Sequence, residues 1–336
     1  MRLPEPRGPL TRALRADLSC GTLSPATLEL AERSAATATA PLADEDLQLA
    51  LAICYELHYR GFDGVDEDWE WDPELLRLRA HLERAHTAAL RALVGEPEVT
   101  DEPVDQQLTA LIAADDGPSL SRYMARTGSL EQWRDYLTLR SVYHLKEGDP
   151  HTFAVPRLSG RAKAAMVEIQ ADEYGGGSAA RMHSELFAGL MRDLDLDATY
   201  GALWDDAPAA AFAAVNTMSL FGLHRRWRGA ALGHLACVEM TSSEPSRRYS
   251  TGLRRLGFGE STTVFYDEHV EADAVHEQIA SVDMCGSLVA AEPALAADVL
   301  FGAACSLAMD GLAARQLLGA WEAGSSALRG ERPLAA

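Results

Sequence analysis

Residues 265–278 of the chain read FYDEHVEADAVHEQ. This segment indicates a helix and, on one side of it, a set of residues that can bind metal ions. His269, Asp273 and His276 stand at positions i, i+4 and i+7, so the turn of about 100° per residue puts them in one narrow stripe of a helix. Two imidazoles and a carboxylate in this arrangement can bind one metal ion or two adjacent ions, with Asp273 placed to bridge or cap. The alternative is a solvated acidic helix face, because other carboxylates share the segment.

Apolar residues elsewhere recur at intervals of three and four, and alternating β-branched runs are almost absent. This periodicity predicts an all-α protein. The predicted helices include roughly residues 43–60, 73–95, 129–147, 161–173, 178–194, 206–222, 226–241, 262–281 and 294–321. Acidic, proline-containing connections at 61–73 and 95–105 predict an N-terminal helical portion, residues 1–120, followed by a main helical domain, residues 121–336. The alternative is that both parts pack as one domain.

The overall composition narrows the class of protein. The 336 residues include 50 Asp and Glu against 30 Lys and Arg, which gives a net charge of −20. Because an acidic surface repels phosphates, we expect neither nucleic acid nor a membrane as a partner. The five cysteines show no close spacing, which excludes a disulfide scaffold and a thiolate-bound zinc or iron–sulfur site. The first residues hold no long apolar stretch, so the predicted location is the cytoplasm.

Carboxylates in three other segments widen the predicted site. Glu147 ends a predicted helix, where a glutamate is usually solvated. Glu239 lies in the apolar run ALGHLACVEM, where a carboxylate has to be paired, protonated or bound to a metal. The segment from Glu168 to His183 contains three glycines, at 175–177, which predict an unwound or bulged backbone. Donors without thiolate suit iron or manganese in a helix bundle, and zinc with three histidines is the alternative.

Other groups of polar residues are not interpreted as metal ligands. A single Glu-x-x-His motif, Glu83 to His86, shares its predicted helix with several arginines and is expected on a solvated face. Glu56 and His58 stand two positions apart, so they point in different directions on a helix and make poor joint ligands. The chain has no phosphate-binding loop and no G-x-S-x-G motif. The sequence therefore gives no support to those classes of enzyme.

Residues 141–302 resemble the haem-oxygenase-like di-iron oxidases and oxygenases, also described as iron-containing redox enzymes. The resemblance rests on the segments LKEGDPHTFAVPRL, EIQADEYGGG, MHSELFAGLM, NTMSLFGLHRRWRGA, GHLACVEMTSS and FYDEHVEADAVHEQ. The H-x-x-x-D-x-x-H pattern of the last segment is the most specific of these. The resemblance implies a haem-oxygenase-like bundle of seven helices without haem, here with an N-terminal helical extension, and two labile iron ions held by carboxylates and histidines.

By position, the resemblance implies that the metal ligands are Glu147, His183, Glu239, His269, Asp273 and His276. Several members of the family have a glutamate three residues before the second-helix histidine, where this chain has Ala180. Glu173 precedes His183 by ten residues, about 15 Å along a straight helix, and comes closer only if the glycines break that helix. Glu173, Asp172 or Glu168 therefore supplies the remaining carboxylate, or the site has six protein ligands.

The resemblance also implies an enzyme that carries two Fe²⁺ ions and takes O2 as co-substrate. It implies N-oxygenation, desaturation or oxidative C–C cleavage of amino or fatty acids, and among these we expect N-oxygenation of a small amino-acid-like molecule. The reason for expecting such a substrate is a basic cluster near residue 226, in which Arg225 and Arg228 can bind a substrate carboxylate through paired hydrogen bonds. Alternatively, these arginines cap a helix end and pair with surface acids.

Two further classes are alternatives to this enzyme. A non-catalytic helical protein would bind metal or a partner through the same stripe without using O2 productively. A haem protein would need one proximal histidine in an apolar pocket, which converging carboxylates do not provide. The sequence leaves open whether an external electron donor takes part, and whether the chain is a monomer or a homodimer.

Overall fold

The computed structural model describes residues 1–330 and Leu334, apart from the side chains of residues 271–274. These residues form helices joined by turns and short 3₁₀ segments, with no β-strand among them. The all-α class predicted from the sequence is therefore confirmed. The helices, in chain order, are α1 (Pro9–Cys20), α2 (Pro25–Thr37), α3 (Glu45–Glu56), α4 (Pro73–Val94), α5 (Val104–Ala113), α6 (Leu120–Arg126), α7 (Leu130–His144), α8 (Asp149–Thr152), α9 (Gly160–Glu173), α10 (His183–Asp193), α11 (Ala209–Leu223), α12 (Arg228–Arg255), α13 (Glu260–Gln278), a π-helix (Ile279–Gly286), α14 (Ser287–Ala291) and α15 (Ala296–Glu322).

The start and end of α7 follow from local sequence. Ser129 and Gln132 form a capping box, in which the Ser129 hydroxyl accepts from the Gln132 amide at 3.3 Å and the Gln132 side chain accepts from the Ser129 amide at 2.9 Å. The helix ends at His144, and a turn leads to α8, whose second residue is Pro150. Glu147 lies in this turn, and it is buried rather than solvated.

Helix α12 is longer than the sequence predicted. The expected end at residue 241 precedes Pro245, which removes a helical hydrogen bond and costs about 3 kcal/mol inside a helix. The helix nevertheless continues to Arg255, with Tyr249 and Leu253 buried, the Tyr249 ring stacked on Tyr136 of α7, and Gly252 against Met124 of α6. Tertiary packing beyond the proline thus offsets the local cost.

Helices α12 and α15 pack closely along the centre of the bundle. Gly233 of α12 faces the Val299 carbonyl, and Gly302 of α15 faces the Ala230 carbonyl, so closely that a Cβ at either glycine would overlap the oxygen.

One stretch among the described residues, Pro293–Glu322, is long and apolar enough to cross a membrane by length and composition. Of its most apolar window, 56% is buried inside the protein, as expected of a core helix.

The N-terminal helices share their core with the rest of the chain. Helix α3 packs against α11, and α4 contacts α15. Buried apolar residues before and after residue 120 belong to one continuous cluster, with Leu51 and Leu78 on one side and Phe212 and Phe301 on the other. The packing of α11 and α15, which border the cavity described below, therefore depends on both parts of the chain.

The Glu83–His86 pair is buried, so the prediction that it lies on a solvated face was wrong. Glu83 accepts from the Tyr55 hydroxyl at 3.1 Å, and its Oε1 lies 3.0 Å from Arg79 Nε and 2.8 Å from His224 Nε2. These partners satisfy a carboxylate that burial would otherwise destabilise. Both residues follow the spacing of the core leucines of α4, which are Leu75, Leu78, Leu82 and Leu90.

Candidate metal centre

Carboxylates and imidazoles from five elements converge beside one cavity in the bundle. The cavity has a volume of about 330 Å³, and Tyr143 of α7, Phe265 of α13 and Leu317 of α15 are among its lining residues. The converging side chains are Glu147 after α7, Glu173 at the end of α9, His183 at the start of α10, Glu239 of α12, and His269 and His276 of α13, all of them buried. Burial is costly for such groups unless they are paired or bind a metal.

Glu147, His183 and His269 form the tightest part of this group. Each offers one ligand atom, and these atoms all lie within 4.8 Å of one another. His269 Nε2 is 3.9 Å from Glu147 Oε1, and the His183 and His269 rings are 4.4 Å apart between centroids. An oxygen and two imidazole nitrogens at this separation are a donor set that suits iron, manganese or zinc.

The orientation of His269 is fixed by its own helix. Its Nδ1–H donates to the Phe265 carbonyl oxygen, one turn earlier, at 2.6 Å. Because one ring nitrogen carries the proton, Nε2 keeps a lone pair and is the nitrogen on the Glu147 side. Metal-ligating histidines in proteins are typically held by such a hydrogen bond on their second nitrogen.

The three glycines bring Glu173 to His183. Gly175, Gly176 and Gly177 have φ values of +66°, +59° and +86°, a region that favours glycine, and they separate α9 from α10. The break predicted from the sequence is therefore present, and Glu173 Oε2 lies 3.2 Å from His183 Nδ1. Burial raises the pKa of the Glu173 carboxyl, but the nearby His183 and His269 imidazoles outweigh burial and hold that pKa below its ordinary value.

His276 lies between two carboxylates on the same side of the bundle. Its Nδ1 is 3.2 Å from Glu239 Oε2, and its Nε2 is 2.9 Å from Asp172 Oδ2. The side chain of Asp172 is 56% exposed, and Glu168 is also exposed. Of the three carboxylates left open by the sequence, Glu173 lies with Glu147 and His183, and Asp172 contacts His276.

The remaining predicted site residues are Asp273 and the two arginines Arg225 and Arg228. Asp273 belongs to residues 271–274, whose side chains lie outside the described part, so its role stays a prediction. Arg225 is exposed on a 3₁₀ turn, and Arg228 pairs with Glu292, and neither lines the cavity. Among the described residues that line it, Arg140 is the only Arg or Lys.

Arg140 and its neighbours were missed by the sequence reasoning. Its guanidinium is 3.0 Å from Asp310 and 5.6 Å from the centre of the Tyr136 ring. Burial opposes the charge of Arg140, but Asp310 and the surrounding tyrosines raise its pKa above the ordinary value. The sequence spacing could have indicated them, because Arg140 and Tyr143 precede Glu147 by seven and four residues, which is the spacing of one helix face.

Three further histidines border the cavity and were not predicted, of which His151 and His234 are buried and His144 is half-buried. His144 Nδ1 lies 3.5 Å from Glu147 Oε1, and burial holds the pKa of His144 well below its ordinary value. His151 Nε2 and His234 Nδ1 are 3.2 Å apart, and burial lowers their pKa values to about 3 and about 4. These imidazoles are therefore neutral at pH 7, as a buried hydrogen-bonded pair requires.

The fold and this site define a helical protein with a buried carboxylate–histidine group suited to a transition metal. A family model described as iron-containing redox enzyme matches residues 134–311, which is more than half of the chain. The chain therefore belongs to the haem-oxygenase-like family of iron-containing redox enzymes, and the resemblance stated from the sequence is confirmed. A comparison with curated proteins finds no match. The family makes the chain an iron-dependent oxidoreductase.

Proposed function

We propose that the chain is a non-haem di-iron enzyme that uses O2 to oxidise a small amino-acid-like molecule. The observation that carries this proposal is the convergence of three carboxylates and three imidazoles, without thiolate, beside a cavity of about 330 Å³. Oxygen and imidazole donors inside a helical bundle suit iron. The proposed ligands are Glu147, Glu173, His183, Glu239, His269, Asp273 and His276.

The metal ions, His269 and the carboxylates have different tasks in this proposal. Two bound Fe²⁺ ions would supply the electrons that reduce O2. The Phe265 carbonyl holds His269 in the tautomer that presents Nε2 as a ligand. Carboxylates keep binding as the iron charge increases, and the burial of these ligand side chains limits the access of bulk water to them.

N-oxygenation is the reaction we propose, with desaturation and oxidative C–C cleavage as alternatives. A cavity of about 330 Å³ lies at the small end of the range of about 300–1,000 Å³ found for ligand pockets, which favours a compact substrate. The partners in this proposal are the small-molecule substrate and O2, and an external electron donor is needed only if the substrate does not provide all the electrons.

Anaerobic reconstitution with Fe²⁺ tests this proposal. The protein would be loaded under nitrogen, freed of excess metal and quantified, and then mixed with O2 in a stopped-flow absorbance experiment with and without candidate amino acids. We expect close to two Fe²⁺ per chain and an O2-dependent absorbance change that a substrate alters. Bound iron that consumes no O2 would favour the non-catalytic alternative, and stoichiometric haem would overturn the proposal.

A further inference from the structure

One face of α7 connects the candidate metal centre to a charged pair at the other end of the cavity. Tyr136, Arg140 and Tyr143 line the cavity along this face, and Glu147 follows in the next turn. Arg140 precedes Glu147 by seven residues, four of them in α7 and three in the turn that follows, which at the rise of a helix is about 10 Å. The Asp310 side chain is 58% exposed and that of Glu147 is 7% exposed, so the Arg140 end is the one nearer to solvent.

The Arg140 guanidinium is placed to bind a second anion. Arginine has five N–H donors in a planar fork, and Asp310 contacts one terminal nitrogen, NH2, at 3.0 Å. The side chain is 24% exposed and borders the cavity, where it is the only Arg or Lys among the described lining residues. A carboxylate is the anion that matches such a fork with two parallel hydrogen bonds.

One acidic group, Asp310, contacts this cation, and a second, Asp115, lines the same cavity. Asp310 of α15 and Asp115 after α5 both line the cavity, and Asp115 is exposed. A guanidinium next to a carboxylate complements a ligand that carries both signs of charge on neighbouring atoms. An α-amino acid has this arrangement, because its carboxylate and ammonium groups are bonded to one carbon.

We propose that Arg140 and Asp310 bind the carboxylate and ammonium groups of an α-amino acid, whose side chain extends along α7 toward Glu147. This inference rests on the proposed function, since it assigns the substrate class of the same cavity. It replaces Arg225 and Arg228 as the carboxylate-binding residues. The separation of about 10 Å favours an unbranched side chain of four or more atoms.

Binding of three matched six-carbon probes to the iron-loaded chain tests this inference. Anaerobic calorimetry would compare L-norleucine, which has both charged groups, with hexanoate and hexylamine, which have one each. We expect L-norleucine to bind at least about tenfold more tightly than either. Equal affinity for all three would overturn the inference, since it would show that neither charge is recognised.

Variants of two arginine–acid pairs make the test specific. Arg140→Gln should weaken L-norleucine and hexanoate at least about tenfold and leave hexylamine unchanged, whereas Arg140→Lys should retain part of the affinity. Asp310→Asn should weaken L-norleucine and hexylamine instead. Arg228→Gln is the matched control, because Arg228 also pairs with a glutamate, Glu292, but lies outside the cavity.

The outcomes separate this inference from the proposed function. An equal loss in Arg228→Gln, or no loss in both Arg140 variants, would contradict the role of Arg140. Iron content and O2 consumption are measured on the same samples. If iron binding or O2 consumption fails while L-norleucine still binds through Arg140, the proposed function is wrong and the amino-acid site stands.

Discussion

At the scale of single residues, His269 illustrates how a helix orients a metal-ligating side chain. Its bond to the Phe265 carbonyl fixes the tautomer, and His183 and Glu147 meet it from two other elements. Sequence spacing predicted that His269 and His276 share one side of a helix. It did not predict that His276 contacts Glu239 and Asp172, because those contacts depend on the packing of three helices.

Replacing His269 or His276 by alanine should remove most of the bound iron. The remaining carboxylates cannot substitute for an imidazole, so iron occupancy and any O2-dependent absorbance should fall, while far-ultraviolet circular dichroism stays nearly unchanged. Glu268→Gln and Glu277→Gln are the controls on the same helix, because both side chains are at least partly exposed. Equal iron retention in all four variants would show that the site is assigned to the wrong residues.

His86 is the best case for a pH-dependent contribution to stability. The Gln48 amide donates to His86 Nδ1 at 3.0 Å, since its carbonyl accepts from Asn216, and His86 Nε2 donates to the Thr217 hydroxyl at 2.9 Å. Protonation of Nδ1 would break the first bond. Burial lowers the pKa of His86 to about 4.

The free energy of unfolding should therefore decrease as the pH falls from about 6.5 toward 4, because the unfolded chain takes up a proton that folded His86 does not. Between pH 7 and pH 5 this group should account for about 2 kcal/mol. Urea denaturation of the wild type and of His86→Gln at both pH values measures it. The same change at His81, which is partly exposed on α4, controls for the loss of a histidine. An unchanged pH dependence in His86→Gln would contradict the prediction.

The junction between α9 and α10 shows, at the scale of elements, how much the sequence predicted. Three glycines between two helical segments were enough to predict the break. The sequence did not decide which of three carboxylates, Glu173, Asp172 or Glu168, this break brings toward His183, because glycine allows many backbone conformations. Packing decided the outcome, as it did for the part of α12 beyond Pro245.

Gly175→Ala should weaken this junction more than Gly176→Ala. Both glycines have positive φ, which costs an alanine about 1–2 kcal/mol. A Cβ at Gly175 would also lie 2.6 Å from the backbone of Arg181, whereas one at Gly176 meets nothing within 4 Å. The backbone near His183 has to move in the first variant only, so its iron affinity should fall further. Thermal unfolding and iron titration of both variants check this, and equal effects would contradict it.

At the scale of the whole molecule, the leucine spacing of α4 predicted which side of the helix is buried better than its arginines did. The arginines suggested a solvated face for Glu83 and His86, and the core leucines on the same side indicated the opposite. Helix class and most helix positions followed from periodicity. The depth to which polar residues are buried did not, because it depends on distant partners such as His224 and Thr217.

The continuous core predicts a single cooperative unfolding transition. Trp69 lies before residue 120 and Trp133 after it, and both are buried in the same apolar cluster. Urea unfolding followed by tryptophan fluorescence and by circular dichroism should give coincident curves. Two separate transitions would instead support an N-terminal portion that folds independently.

The cavity wall includes Asp115, Gly117 and Pro118, which precede the stretch shared with the family. The proposed metal ligands all lie within that shared stretch. Part of the cavity wall is thus encoded outside the stretch that holds the proposed metal ligands, Arg140 and Asp310. Exchange of the segment between α5 and α6 is therefore a route to altered selectivity that leaves the reaction chemistry in place.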